Sequence, residues 1–281
     1  MIYKQITKIP PTIIKENLNK FFKEDDIKND ITTNTFVDDK NKIKATFVAE
    51  FEGVFCGAEI IKNAFSEKVK VSTLISDGFK VKKNFKLATV EGPAAEILKK
   101  ERVVLNLIQR MSGVASETNQ YTSKAFRKNI KILDTRKTTP GLRIFEKYAA
   151  QCGGGINHRL NLSKGFMIKD NHIRSNNSIK EMFKKLNKTE NPIQVEIDTK
   201  EQLQECLKYN IDAVLLDNMD PENIKECVQI IKKSEKQIFI EVSGGITLKK
   251  LNKYLILGVD AISIGATIHQ ATFKNIKLEF Y

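Results

Sequence analysis

The sequence predicts an α/β protein whose second half is a parallel barrel with fewer than eight strands, and three observations predict it. Short apolar stretches recur at residues 130–134, 166–170, 193–198, 213–218, 238–243 and 261–265, each ending in a polar or glycine-rich element. Measured between Lys169, Glu196, Asp217, Ser243 and Gly265, the steps are 27, 21, 26 and 22 residues. One parallel strand and its return helix need about that much chain. Helix-patterned segments at 200–209, 221–232 and 249–257 fill the gaps. Charged residues also stand at the carboxyl ends of several successive strands, where βα barrels place their sites; an open doubly wound sheet concentrates them at one switch point. The regular region covers only ~150 residues, too few for a full eight-stranded barrel.

The first part of the chain has no such beat. Residues 18–23 pattern as a helix, and 44–51 alternate as a half-buried strand. Glu52-Gly53 marks a turn before a second helix at 58–65, and 69–76 and 86–91 read as strands with Asp77-Gly78 turning after the first. A long helix is predicted over 96–126, with Val103, Val104, Leu107, Ile108 and Met111 on its buried face and a break or bend near Ser112-Gly113. Residues 273–281 fall outside the barrel rhythm and are expected to return to the first domain.

With 281 residues the chain can build one large core or two domains, and 41% apolar with 29% charged residues is ordinary for a soluble protein. No stretch reaches the ~18–20 apolar residues that span a bilayer, and the opening Met1-Ile2-Tyr3-Lys4 does not begin a secretory signal. Four scattered cysteines, Cys56, Cys152, Cys206 and Cys227, form no paired motif or zinc spacing and fit reduced thiols, so a cytoplasmic location is expected. The formal charge of +13 is spread over lysines interspersed with glutamates. Solvated faces explain most of it, a field drawing polyanionic small substrates comes second, and nucleic acid comes last because no binding motif accompanies the charge.

Chemistry concentrates in a few segments. Asp134-Thr135-Arg136-Lys137-Thr138-Thr139-Pro140-Gly141 follows a strand and presents a planar guanidinium and a point charge. Alone, it is as readily a surface turn. Cys152-Gly153-Gly154-Gly155-Ile156-Asn157-His158-Arg159 adds glycines that let backbone approach a ligand, and then two more anion-binding side chains. Here the bland account is a glycine bulge and a core histidine. A third cluster, Met167-Ile168-Lys169-Asp170-Asn171-His172, ends another strand in a cation. Three such clusters in succession imply a ligand with several negative charges. Glu196 and Asp217 end neighbouring strands and supply hard oxygens suited to Mg²⁺, or else they pair with nearby cations. Ser243-Gly244-Gly245 and Gly265-Ala266 end the last two strands, where barrels often hold phosphate on backbone N–H groups.

Together these segments resemble the quinolinate phosphoribosyltransferase family, the carboxylating nicotinate-nucleotide pyrophosphorylases of NAD biosynthesis. The likeness runs from Glu24-Asp25-Asp26 and Asn29-Asp30-Ile31-Thr32-Thr33 to Ile262-Ser263-Ile264-Gly265. It is carried most by Glu101-Arg102, Ser112-Gly113-Val114-Ala115, the two cation loops, Lys169 to His172 and Glu241 to Ile246. The resemblance implies an N-terminal α/β sandwich domain over 1–112, joined by 270–281, and an incomplete α/β barrel of six or seven strands over 113–269. It implies a homodimer, with higher assembly left open, in which Arg102 crosses to the neighbouring site. By the same likeness Arg136, Lys137, His158 and Arg159 surround the substrate carboxylates, and Lys169 lies near substrate and phosphates. Glu196 and Asp217 take the Mg²⁺ and ribose side; Ser243, Gly244, Gly245 and Gly265 take phosphate, with His269 just beyond. Lys137, Lys169, Glu196 and Asp217 are the expected catalytic groups. Quinolinate and phosphoribosyl pyrophosphate are the implied substrates, and no nucleic acid or membrane is involved.

Two departures stand out. Asn29 replaces the usual glycine before Asp-Ile-Thr-Thr, and 265–270 keeps its glycine and histidine but changes the usual Leu-Thr-His-Ser ending. A molybdenum-locus paralogue shares the architecture, and a phosphoribosyltransferase with another acceptor is the other alternative. The Arg-Lys-Thr-Thr-Pro-Gly loop and the intact Asn-His-Arg look more like the NAD enzyme.

Overall fold

Proline opens the first helix, because its fixed φ suits the first turn and its missing N–H costs nothing there. In the computed structural model, which describes residues 2–281 apart from 39, 177, 187 and 188, α1 (Pro11–Glu24) buries Ile14, Leu18 and Phe22 at four-residue spacing. Asn29 closes the following turn by donating its side-chain amide to Asp26 (3.0 Å), and Asp30 caps α2 (Ile31–Phe36) by accepting from the Thr32 and Thr33 N–H groups. Then come β1 (Lys42–Ala49), β2 (Gly53–Val54), α3 (Ala58–Ala64), β3 (Lys70–Ser72), β4 (Lys80–Val81), β5 (Lys86–Pro93) and α4 (Ala94–Ala125). The expected alternation in the first strand is absent at its end: Ala45 to Ala49 are all buried, so both faces are covered.

The long helix runs for 32 residues without the expected break at Ser112-Gly113. Small residues there serve packing. A Cβ on Gly113 would lie 2.2 Å from the Thr272 carbonyl oxygen. Ser112 Oγ accepts the Cys56 N–H (3.1 Å), and Ser116 Oγ accepts the Val54 N–H (2.9 Å). The four cysteines are free thiols, as their scatter in the sequence suggests, but two of them meet in space. Ligand atoms of Cys56, Asp77 and Cys152 lie within 4.8 Å of one another, and burial pushes the Cys56 thiol well up. Asp77 is also the cap of α3, accepting from the Gly57 and Ala58 N–H groups and from the Tyr148 hydroxyl.

The second half alternates strand and helix as its rhythm predicts. It comprises β6 (Lys131–Leu133), α5 (Arg143–Cys152), β7 (Phe166–Ile168), α6 (Asp170–Arg174), α7 (Ile179–Lys184), β8 (Ile193–Ile197), α8 (Lys200–Cys206), β9 (Ala213–Asp217), α9 (Pro221–Lys233), β10 (Phe239–Ser243), α10 (Leu251–Tyr254), β11 (Ala261–Ser263) and α11 (Ala266–His269). The strands form one parallel sheet in the order β6-β11-β10-β9-β8-β7, and a parallel bridge from Leu133 to Ile156 adds a seventh position beside β6. Val195, Ile197, Val214, Leu216, Ile240, Val242 and Ile262 face outward onto Leu203, Ile224, Val228 and Ile231 of the helices. Each such aliphatic contributes about 1.5–3 kcal/mol on burial. Alternation therefore turns Gln194, Glu196, Leu215, Asp217, Glu241, Ser243 and Ser263 inward.

That interior is strongly curved. His158, just past the seventh position, brings Nε2 within 3.6 Å of Glu241 on β10. Three strand spacings in a flat sheet would separate them by ~14 Å, so the sheet closes on itself as an incomplete barrel.

Finally β12 (Ile276–Phe280) pairs antiparallel with β1, giving the four-stranded sheet β12-β1-β5-β3, as expected for a C-terminal return. The chain divides into two compact units, residues 1–5, 120–139 and 155–269, and residues 6–119, 140–154 and 270–281. This differs from a single cut after 112. The first five residues belong with the barrel because Gln5 pairs its side-chain amide with both backbone groups of Asn157 (3.1 and 2.6 Å). Residues 140–154 belong with the antiparallel sheet because Tyr148 bonds Asp77 and Arg110 bonds Glu146 (2.9 Å).

Candidate active site

The two cation loops are one structure. Asp134, buried at the end of β6, accepts from Asn157 Nδ2 (2.6 Å) and from the His158 N–H (2.9 Å). Its own N–H bonds the Ile156 carbonyl (3.1 Å). The first residue of the Asp-Thr-Arg-Lys loop thus holds the Asn-His-Arg triplet, which is why the two motifs belong together despite 23 residues of separation.

Arg136 and Arg159 face one site from these two loops. Burial holds the Arg159 guanidinium below its ordinary value, Tyr3 opposes this, and Arg136 pushes it further the same way. Arg159 Nη1 donates to the Gly165 carbonyl (3.0 Å). The Arg136 Nε is buried with no hydrogen-bond partner. A buried guanidinium donor costs about 1–3 kcal/mol when left unmade, and neither arginine pairs with a carboxylate among the described salt bridges. A buried and a partly buried cation that repel each other are a receptor for an anion.

The remaining strand ends surround them. Lys137 is exposed, but its stem crosses Gly265: a Cβ there would lie 3.1 Å from both Lys137 Cδ and the His269 ring. This brings Lys137, Gly265 and His269 together. Lys169 donates to Glu196 Oε2 at 2.5 Å, the pairing alternative raised by the sequence, and His172 accepts the Lys169 N–H (3.0 Å), fixing that lysine at the start of α6. Asp217 lies opposite Ser243 in the β9–β10 register and accepts from Asn218 Nδ2 (2.6 Å). Gly244 has φ +108°, and a Cβ there would lie 2.3 Å from Asn218 Oδ1; only glycine fits. Gly245, at φ +56°, has open space around it.

Family models for the N-terminal and C-terminal domains of quinolinate phosphoribosyl transferase match residues 30–112 and 114–279. The chain belongs to the quinolinate phosphoribosyl transferase family. A probable nicotinate-nucleotide pyrophosphorylase [carboxylating] of Bacillus subtilis is 42% identical over 95% of this chain and 93% of its own. A mitochondrial quinolinate phosphoribosyltransferase [decarboxylating] of Nicotiana tabacum is 34% identical, over 96% and 83%. Among solved structures, the nicotinate-nucleotide pyrophosphorylase of Francisella tularensis superposes with a TM-score of 0.91 at 32% identity, covering 99% of both chains. Membership in the quinolinate phosphoribosyl transferase family carries the enzyme class, a pentosyltransferase that decarboxylates its acceptor.

Of the site residues expected for this family, the barrel unit holds Arg136, Lys137, His158, Arg159, Lys169, Glu196, Asp217, Ser243, Gly244, Gly245, Gly265 and His269. Arg102 belongs to the other unit and is exposed on α4. Sequence reading missed a layer beneath these residues. Tyr3 donates to Gln194 Oε1 (2.7 Å), and Gln194 Nε2 donates to Glu241 Oε2 (2.7 Å). Burial pushes the Glu241 carboxyl up to about 7; Gln194 and Ser263 oppose this, while Asp134 and Asp217 add to it. The available signal was a polar residue, Gln194 or Glu241, inside an otherwise apolar strand. No helix among the described residues is long and apolar enough to cross a membrane.

Proposed function

We infer that the chain transfers the phosphoribosyl group of phosphoribosyl pyrophosphate to quinolinate, releasing pyrophosphate and CO₂ and leaving nicotinate mononucleotide. The observation that carries this is the Arg136–Arg159 pair, a partly buried and a buried guanidinium that form no salt bridge with a carboxylate among the described residues. A dicarboxylate matches them in charge, and its two planar ends match two guanidinium forks. With the carboxylates held, the pyridine nitrogen is aimed at the anomeric carbon. Its lone pair forms the N–C bond as the bond to pyrophosphate breaks, and positive charge moves onto the ring nitrogen. The adjacent ring carbon then loses CO₂, because the electron pair left behind sits beside N⁺, and that carbon takes up a proton. Positioning and electrostatics do this work, so no nucleophilic side chain is needed.

Lys137 and the open backbone at Gly245 and Gly265 suit the phosphates. Mg²⁺ fits the carboxylates of Glu196 and Asp217, which turn inward on adjacent strands, although Lys169 shares Glu196. When bound, the ion would neutralise pyrophosphate and improve it as a leaving group. In the proposed homodimer, Arg102 supplies a further cation to the neighbouring subunit's site, a reading supported by its exposure on α4.

The test is direct. Quinolinate, phosphoribosyl pyrophosphate and Mg²⁺ should give nicotinate mononucleotide and CO₂ in equal amounts, and nicotinate in place of quinolinate should give no product. Turnover of nicotinate but not quinolinate would overturn the reading and favour another acceptor.

A further inference from the structure

We propose that Cys56, Cys152 and Asp77 form a metal site for a soft or borderline divalent cation such as Zn²⁺, built within the unit that carries the antiparallel sheet. None of the three belongs to the barrel unit, and the proposal does not depend on how the barrel mouth is read.

Three chain segments converge there. Cys56 stands between β2 and α3, Asp77 stands between β3 and β4, and Cys152 is the last residue of α5. The two sulfurs and a carboxylate oxygen lie within 4.8 Å of one another. Zn²⁺ bonds thiolate at about 2.3 Å and carboxylate at about 2.0–2.2 Å, so tetrahedral donors around one ion stand roughly 3.5–4 Å apart. Small side-chain shifts close the difference.

The donors are also held in place. The Cys56 N–H donates to Ser112 Oγ (3.1 Å), and the Ser112 hydroxyl donates back to the Cys56 carbonyl (3.2 Å). Asp77 Oδ1 accepts the Gly57 and Ala58 N–H groups (2.6 and 2.8 Å), and Oδ2 accepts the Tyr148 hydroxyl (2.8 Å). A carboxylate offers about four lone-pair positions. These three bonds therefore orient Asp77 and leave one position for an ion, and such hydrogen bonds are what orient ligands in built metal sites. Cys56 is buried, whereas Cys152 and Asp77 are only half-buried, so an ion can enter from their side.

Charge decides the occupant. Burial first, then Cys152 and Asp77, push the Cys56 thiol well up, so it keeps its proton until a cation arrives. A carboxylate beside two thiols hinders the thiolate that disulfide exchange requires, but it gives a cation a third ligand. As each sulfur–metal bond forms, the thiol releases its proton to solvent, and nothing is oxidised. Two sulfur ligands select Zn²⁺ or Cd²⁺ over Mg²⁺, which takes oxygen in octahedral geometry. The bound ion clips the end of α5 to the segments that precede α3 and β4.

The probe is Cd²⁺, added to the reduced full-length chain in the presence of excess Mg²⁺. One equivalent should bind with the ultraviolet charge-transfer absorption of a cadmium–thiolate bond, and Zn²⁺ should displace it. Iodoacetamide should label Cys152 of the parent about tenfold more slowly once the ion is bound, read by peptide mass spectrometry, and this needs no variant. Cys152→Ser should weaken Cd²⁺ binding about a hundredfold or more. Cys206→Ser and Cys227→Ser, whose sulfurs sit in the barrel core, should leave it unchanged. Absence of the thiolate band, Cys152 labelling that ignores Cd²⁺, or binding that follows Cys206 or Cys227 would overturn the proposal. So would an ion that excess Mg²⁺ displaces, because it would belong to oxygen ligands alone.

Discussion

On β10, Glu241 and Ser243 point the same way two residues apart, yet their surroundings obey opposite rules. Around Glu241, polar groups mostly answer one another: Tyr3 donates to Gln194, Gln194 to Glu241, and the Arg159 N–H to His158. Around Ser243 and the neighbouring strand ends, cations outnumber partners, and glycines leave backbone bare. One layer is chiefly polar groups bonded to one another, with Glu241 Oε1 left over, and the other is chiefly cations and bare backbone. The binding site is recognisable here as the layer where cations and bare backbone gather. The difference can be broken from either side.

The largest effect is expected at the mouth. Arg136→Ala should lower turnover of quinolinate by about 10³-fold, or about 4 kcal/mol, the cost of removing one side of a desolvated charge contact. Its thermal stability should hold or rise, because Arg159 loses a like-charged neighbour. Steady-state kinetics and thermal unfolding of the same preparation check both. Loss of activity in proportion to loss of stability would make Arg136 a structural residue and erase the contrast.

Next comes the layer below. Glu241 has its proton affinity raised in the folded state, to about 7, by burial among Tyr3, Asp134, His158, Gln194, Asp217 and Ser263. An acid with a raised folded-state value is bound more tightly to its proton in the native protein. Its contribution to stability is therefore full below about 4.5, falls as pH rises toward about 7, and is flat above. The fall is on the order of 3 kcal/mol. Glu241→Gln, which keeps an acceptor but no charge, should remove that slope, so the variant gains on the parent as pH rises from 5 to 8. Urea titrations at both values read it; parallel curves would mean that Glu241 is not the buried charge described.

How much of this contrast the sequence shows follows from the kinds of force involved. The mouth was legible residue by residue, because charge and glycine at strand ends are local signals: Arg136, Lys137, Lys169, Asp217 and Gly244 all stand where the rhythm of apolar stretches ends. The barrel itself was legible for the same reason. The lower layer was not. Tyr3 meets Gln194 across 191 residues and Gln194 meets Glu241 across 47, and nothing local in Tyr3-Lys4-Gln5 marks a segment that packs into a barrel. Ser112-Gly113 misled in the opposite sense: small residues suggested a break, but they let Thr272 and Cys56 approach an unbroken helix. Lys169 and Glu196 stand near strand ends as the spacing expects, while their ion pair was one of two outcomes that sequence spacing leaves open.

Gln194→Leu tests that lower layer without touching its charge. The change leaves the Tyr3 hydroxyl and one Glu241 oxygen without their bonds. A loss of about 2 kcal/mol in stability is expected, since each orphaned buried group costs about 1–3 kcal/mol and some relaxation is available. If instead stability is unchanged, water or rearrangement replaces both bonds, and Gln194 is not what holds the layer together.

The smallest effect should fall on Gly265, and its contrast with Gly244 sharpens what the mouth needs from its glycines. At Gly244 a methyl group meets Asn218 Oδ1 at 2.3 Å and Asn218 N at 2.6 Å, on backbone at φ +108°. Gly244→Ala should therefore cost about 1–3 kcal/mol of stability, for strain that the loop cannot relieve. At Gly265 the nearest atoms to the methyl are Lys137 Cδ and the His269 ring, each at 3.1 Å. Both are side chains able to give way, and Gly265→Ala should change stability by less than about 0.5 kcal/mol. What moves is the Lys137 stem, so the KM for phosphoribosyl pyrophosphate should rise a few-fold while that for quinolinate stays put. Equal effects on the two KM values would place Lys137 at the acceptor end of the mouth. The fold holds Gly244 in place for its own sake, whereas Gly265 is free to change as far as the fold is concerned, and only a ligand would register the difference.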